Sequence, residues 1–255
     1  MAPITTHLVI GERLFPNMVE LFDSLDFSSF LVGSVLVDVH GFSSIERRTT
    51  HFADRFDNEG PFAFDRSCQN FIDQLDDLLL RPWMKLSKKE RAFVLGYFCH
   101  LAADENWKQF DWNVYHERGV YLWSDLPIPG DILLTVFDVE SGNLYKDYSS
   151  ISMALCDVSI PNVLSHVMYE DFQGVWEIIK IHVEQKGTLE SFLETQKRLG
   201  KDQYELDNMR EQYRANWNGA KTLIKKHFGG IEKRVKSMVE QSLETVTRFS
   251  DVFET

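Results

Sequence analysis

The chain has three cysteines, Cys68, Cys99 and Cys156, and no C-x-x-C pair. That odd, widely spaced set argues against a disulfide framework and fits buried thiols in a reducing compartment. Long apolar runs are missing as well: the longest, Phe30 to Val37, is far too short to span a bilayer. The start, Met-Ala-Pro-Ile-Thr-Thr-His, lacks the basic and apolar regions of a secretory signal, so a cytoplasmic location is expected. Positive charge is in short supply. Lys+Arg 27 against Asp+Glu 39 leave a formal charge of -12, which argues against bulk nucleic acid or an anionic membrane surface as the main partner. Several chemistries lose their motifs too. H-E-x-x-H, Glu-x-x-His, a Walker loop, G-x-G-x-x-G and G-x-S-x-G are absent, and no His is followed directly by Asp.

What is present is apolar and helical. The 255 residues are 44% apolar and 26% charged, enough for a sizeable core. Apolar spacing predicts an all-α fold. A first short helix carries Leu8, Ile10 and Leu14, and a second runs from Met18 to Leu25 after Pro16. A third, capped by Ser28 or Ser29, spans about 30–39 and stops at Gly41. Residues 42–65 read as a loop, followed by helices at about 66–80 and 87–108, the latter opened by the capping box Ser87-Lys-Lys-Glu90. The aromatic-rich stretch 109–128 reads as a loop, with helices expected at about 129–140, 147–156 and 161–184. The last 55 residues read as two long amphipathic helices, about 188–228 with a break near Gly200, and 231–250, separated by Gly229-Gly230. The expected organisation is a metal-binding domain over 1–186 and a C-terminal helix pair over 187–255.

Charge and histidine are unevenly placed. Residues 1–200 hold 17 basic and 30 acidic groups, and five of the eight histidines fall in the first 116 residues. Imidazole among carboxylate is a combination that divalent-metal sites use. The most informative segment is Phe93-Val-Leu-Gly-Tyr-Phe-Cys-His100-Leu-Ala-Ala-Asp104-Glu-Asn-Trp107. His100 and Asp104 stand four apart, on one helix face with Phe93, Gly96 and Trp107. On a buried face they must pair with one another or bind metal, because an isolated buried carboxylate is very costly. Asp38 closes an apolar helix at its negative end, a position that favours a compensating cation. His7 follows Thr5-Thr6, and His51 lies in Arg47-Arg48-Thr-Thr-His51-Phe52. Together these are three imidazoles and two carboxylates from four segments, a set suited to zinc or a similar ion.

Thr6-His7, Gly33-Ser34 with Asp38, Arg48-Thr-Thr-His51-Phe52, and Gly96-Tyr-Phe-Cys-His100-Leu-Ala-Ala-Asp104 with Trp107 occur in an order that resembles the zinc-dependent phospholipase C family. The resemblance covers roughly residues 5–108 and implies the all-α fold shared with P1-type nucleases. It implies one zinc held by Asp38, His51, His100 and Asp104, and a second held by His7 with Asp104 as a bridge. Family enzymes complete the second site with the amine and carbonyl of a processed N-terminal residue, whereas here Met1 lies six residues before His7. A possible third site would use His116 with His166 and Glu170, which have the family's H-x-x-x-E spacing. His40 is a candidate neighbour of Asp38, while His182 and His227, on helices rich in Lys and Glu, read as solvated.

The function that follows is hydrolysis of a phosphoester, a phosphodiester first of all, with metal-bound hydroxide as the nucleophile. Asp38 is the candidate proton acceptor, and Arg47 and Arg48 are candidates for phosphate contact. The expected substrate is a small phosphoester or phospholipid-like molecule. Two alternatives stand beside this reading: a non-catalytic metal-binding protein with an interaction surface on its C-terminal helices, and metal-free pairing of the same carboxylates and imidazoles.

Overall fold

The computed structural model describes residues 4–52, 66–119, 126–156 and 158–253, which hold twelve α-helices and no strand. Helix α1 (Ile4–Phe22) is one element rather than two. Pro16 interrupts a single backbone bond at an exposed position, while Leu14 and Met18 stay fully buried on the opposite side and hold the helix together. Helix α2 (Phe27–Leu36) starts earlier than the serines suggest. Asp26 is its cap, accepting from the Ser29 amide at 2.9 Å. A 3-10 turn over Val37–Gly41 follows, and then a short helix α3 (Arg47–His51) lies where a loop is expected from sequence.

Helices α4 (Ser67–Asp73) and α5 (Leu75–Leu78) lead to α6 (Lys88–Arg118), the longest among the described residues. α6 runs ten residues past its expected end, to a left-handed Gly119. Phe110 is a packing group rather than a loop residue, stacking on Phe228 with centroids 5.3 Å apart. Helices α7 (Gly130–Ser141) and α8 (Tyr148–Cys156) fall where expected. α9 (Tyr169–Glu184) starts eight residues late. The residues before it pair with the chain after α5 at an isolated bridge, the Leu80 amide donating to Val163 and the Ser165 amide to Leu78.

Helices α10 (Leu189–Arg198), α11 (Gln203–Phe228) and α12 (Ile231–Arg248) complete the fold. The breaks come at Gly200 and Gly229-Gly230, as their glycines predict. The C-terminal helices pack on the rest of the chain, α12 against α6 and α1, and α11 against α7. Arg234 of α12 is fully buried there, its guanidinium 4.2 Å from the Phe110 centroid and donating to the Asn106 carbonyl. Of the cysteines, Cys68 and Cys99 are buried as expected, whereas Cys156 is exposed.

The contact that organises the interior is the crossing of α2 and α6. Gly33 and Gly96 face one another across it. A Cβ on Gly96 would lie 2.0 Å from the Phe30 carbonyl oxygen, and one on Gly33 would lie 2.1 Å from that of Phe93. Backbone meets backbone here, which only glycine permits. One turn beyond the crossing, the end of α2 and the middle of α6 are brought side by side.

Candidate metal centre

Four segments meet just past that crossing. α1 supplies His7, the 3-10 turn after α2 supplies Asp38, α3 supplies His51, and α6 supplies His100 and Asp104. All five residues are buried, none more than 4% exposed. His51 Nε2 lies 3.3 Å from Asp38 Oδ1 and 3.4 Å from Asp104 Oδ2. His7 Nε2 is 3.5 Å from Asp104 Oδ1, and His100 Nε2 is 3.7 Å from Asp38 Oδ1. The rings of His7 and His100 stack at 3.6 Å, nearly parallel.

These separations are long for N–H···O hydrogen bonds, which cluster at about 2.7–3.2 Å. They match another geometry: donors about 2.0–2.1 Å from a tetrahedral zinc stand about 3.3–3.4 Å from one another. The donor atoms are also bare. His7 Nε2, His51 Nε2, His100 Nε2 and Asp38 Oδ1 are buried with no hydrogen-bond partner among the described residues. Burying such atoms is costly, and a cation among them would satisfy all four. Three overlapping triplets could each hold an ion: His7 with Asp38 and His100, Asp38 with His40 and His51, and His51 with His100 and Asp104.

The neighbours set the tautomers. His100 Nδ1 lies 2.8 Å from the Ser34 carbonyl, which can only accept, so Nδ1 carries the proton and Nε2 presents a lone pair to the cluster. Ser34 lies in the last turn of α2, where carbonyls are left available by the helix end. His51 Nδ1 lies 2.9 Å from Thr50 Oγ1, and that hydroxyl donates to the Arg47 carbonyl. His51 Nδ1–H is thereby the donor and Nε2 is again free to ligate. A ring nitrogen bonded to carbonyl or hydroxyl behind and a bare nitrogen in front is how metal-binding histidines are oriented. Tyr97, one turn before His100, donates to the Thr50 carbonyl and so pins α3 against α6.

Electrostatics agree with a cation-ready site. Burial pushes the His100 imidazolium down to about pKa 3, with His7 adding to the effect, so the ring is neutral at pH 7. Burial alone would raise both carboxylates. The imidazoles of His100 and His51 around Asp38 instead hold that carboxylate below the usual range. A neutral imidazole at His100 and an ionised carboxylate at Asp38 are protonation states that metal binding requires.

The other sequence candidates have different fates. Arg47 is half-buried and its Nη2 lies 3.0 Å from Asp104 Oδ2, at the edge of the cluster. Arg48 is exposed and pairs with Glu46. His40, 4.0 Å from Asp38 Oδ1 through Nδ1, stands edge-on to His51. His166 and Glu170 do not share a helix: His166 precedes α9, and Glu170 is exposed in its first turn. His166 Nε2 lies 3.2 Å from the Tyr97 hydroxyl, and its ring packs on Phe52. Burial lowers it to about pKa 4. His116 is on α6, and its side chain is outside the described residues. His182 and His227 are buried, not solvated. The Lys and Glu on their helices mark the opposite faces, so helix composition says little about either ring.

Three residues bear on the site without standing out in the sequence. Tyr97 and Thr50 act through His51. Lys108, one turn beyond Asp104 on α6, is pushed down to about pKa 7 by burial, with the charge of Arg47 adding to it. The i,i+4 spacing from Asp104 is the signal that points to Lys108. A cleft of about 290 Å³ opens beside the cluster, with Asp38, Phe42, Leu134, Asp138, Phe192 and Tyr213 among its walls.

The sequence matches the family described as Zinc dependent phospholipase C over residues 6–198. No curated protein and no solved structure matches the chain. The family match spans α1 to α10 and includes every residue of the cluster, while α11 and α12 lie beyond it. The described helices have the all-α architecture of the phospholipase C and P1 nuclease-like fold. The chain belongs to the zinc dependent phospholipase C family.

Proposed function

We propose that this protein hydrolyses a phosphoester, a phosphodiester of lipid-like character, at a centre that holds two zinc ions. The observation that carries the reading is the convergence of four bare, buried donor atoms beside a cleft with Asp38 on its wall. Asp38, His51, His100 and Asp104 would hold the first ion, and His7 with Asp104 the second. Zinc bound there would lower the pKa of a water toward neutrality and offset the charge of the phosphoester.

The chain's own groups have separate roles. Asp38 faces both the cluster and the cleft, so it can accept a proton at its carboxylate as the phosphoester is attacked. Arg47, whose guanidinium lies beside Asp104, would neutralise a phosphate oxygen bound there. Phe42, Leu134 and Phe192 give the cleft apolar walls that exclude water and suit the apolar part of a phospholipid. Residues 1–186 would form the metal-binding domain, with 187–255 as helices packed on it.

The test is a panel of phosphodiesters and phosphomonoesters, assayed with and without zinc, with Asp38→Asn as the control. Zinc-dependent turnover of a phosphodiester, lost by about 100-fold or more in D38N, is expected from removal of a metal ligand and proton acceptor. Bound zinc with no turnover of any ester would leave a non-catalytic metal protein in its place.

A further inference from the structure

A second buried polar cluster lies behind His7, built from three other helices. Asp138 of α7 accepts from the Thr6 amide at 3.1 Å through Oδ1, and from the Thr5 hydroxyl at 3.1 Å through Oδ2. His182 of α9 places Nε2 2.9 Å from Asp138 Oδ2 and 3.0 Å from Thr5 Oγ1. His182 Nδ1 in turn lies 2.9 Å from Ser191 Oγ of α10, whose hydroxyl donates to the Thr188 carbonyl. Thr6 Oγ1 donates to Ser141 Oγ at 3.1 Å. Asp138 and His182 are buried.

The arrangement looks like a nucleophile-base-acid series, but Ser191 is fully buried, its hydroxyl enclosed between the Thr188 carbonyl and His182. Its geometric consequence lies elsewhere. The Thr6 amide is one of the four N–H groups that the start of α1 leaves without an intrahelical acceptor. Asp138 satisfies it from another helix, with its negative charge at the positive end of α1. His7 is the next residue. Its ring has little freedom of its own, being flat against His100 and aimed at Asp104. Where Nε2 of His7 sits is therefore set by where the first turn of α1 sits, and that turn is pinned by Asp138.

We infer that Asp138 and His182 are positioning residues for the His7 donor, holding the first turn of α1 so that the second ion of the centre is bound tightly. The inference rests on the two-ion reading of the centre. It also explains what α9 and α10 contribute, since their His182 and Ser191 keep the Asp138 carboxylate aimed at Thr5 and Thr6.

Zinc binding to the full chain, followed by equilibrium dialysis and by the absorption of the cobalt(II) form, tests this. The variants are His7→Ala, Asp138→Asn, His182→Ala and His182→Gln. The wild-type chain should bind two ions, and H7A should lose one. D138N and H182A should weaken that same ion by about 10–100-fold, the usual cost of removing a group that orients a ligating histidine. The other ion should keep its affinity. H182Q, whose amide can still donate to Asp138, should recover most of the loss, and D138N added to H7A should change zinc binding no further. If D138N does not fold, by circular dichroism, the H182A and H182Q pair decides. Equal weakening of both ions, or a second ion bound as in wild type, overturns the positioning role alone. One ion or none on the wild-type chain overturns the two-ion reading and the positioning role with it.

Discussion

Gly96→Ala should be one of the most damaging single-methyl changes available to this protein, against the usual direction of that substitution. In a helix interior alanine is favoured over glycine by about 1 kcal/mol, so an unobstructed Gly→Ala stabilises. Here the added Cβ would stand 2.0 Å from the Phe30 carbonyl oxygen. Ordinary contact needs about 3.3 Å, so α2 and α6 must part by roughly 1 Å, and the obstacle is backbone that cannot rotate away. Overpacking of a tight core costs about 1–3 kcal/mol, at the upper end where nothing can yield. The net after the propensity gain is a loss of about 2 kcal/mol, or a fall in Tm of roughly 4–8 °C for a chain of this size. The second consequence is specific to the site. Asp38 and Ser34 move with α2, while His100 and Asp104 move with α6, so parting the helices separates the two halves of the centre. Calorimetry of the metal-free protein and zinc titration measure the two effects separately. A G96A protein as stable as wild type, with unchanged zinc affinity, would show that the crossing does not hold the centre.

Further outcomes follow from the same geometry. Chelation should lower Tm and zinc should restore it, the ion adding about 2.7 kcal/mol of stability at 100 times the dissociation constant, and scanning calorimetry with and without chelator reads this. A Tm indifferent to chelator and zinc would contradict a buried zinc centre. The metal-free protein should lose stability as pH falls from about 6.5 toward 3. His100 and His166, held near pKa 3 and 4, bind a proton in the unfolded chain before they do in the folded one, so acid favours unfolding. Denaturant titrations at several pH values should show that His166→Gln flattens this slope between about pH 6.5 and 4; an unchanged slope would place His166 in solvent. Tyr97→Phe removes the donor to the Thr50 carbonyl and should cost about 1–2 kcal/mol in urea unfolding while weakening zinc binding through His51. A stability loss with zinc affinity intact would limit Tyr97 to packing.

How much of the fold is legible in the sequence depends on whether the signal is local. Helix identity in most of the chain follows from apolar spacing, and the breaks at Gly200 and Gly229-Gly230 follow from backbone freedom at glycine. His100 and Asp104 are legible because four residues make about one helical turn. Local preference misleads where distant packing overrides it. Pro16 does not end α1, because Leu14 and Met18 are buried on the other side. The stretch 109–118 does not form a loop, because Phe228 and Arg234 pack on Phe110 from far along the chain. The H-x-x-x-E spacing of His166 and Glu170 promises one helix face, yet pairing with the chain after α5 holds His166 outside α9.

By itself, then, the amino-acid sequence determined an all-helical chain, its main breaks, and the residue types that ordered chemistry requires, including the five that meet in the cluster. Those are properties of short windows, in which periodicity, capping and glycine act within a turn or two. Only the tertiary structure decided that the five donors converge, which nitrogens are bare, and that His182 is buried behind His7 rather than solvated. Such facts depend on contacts between residues as far apart as Thr5 and His182. The convergence follows a crossing of two helices at paired glycines, and no local pattern encodes where a helix will find its partner.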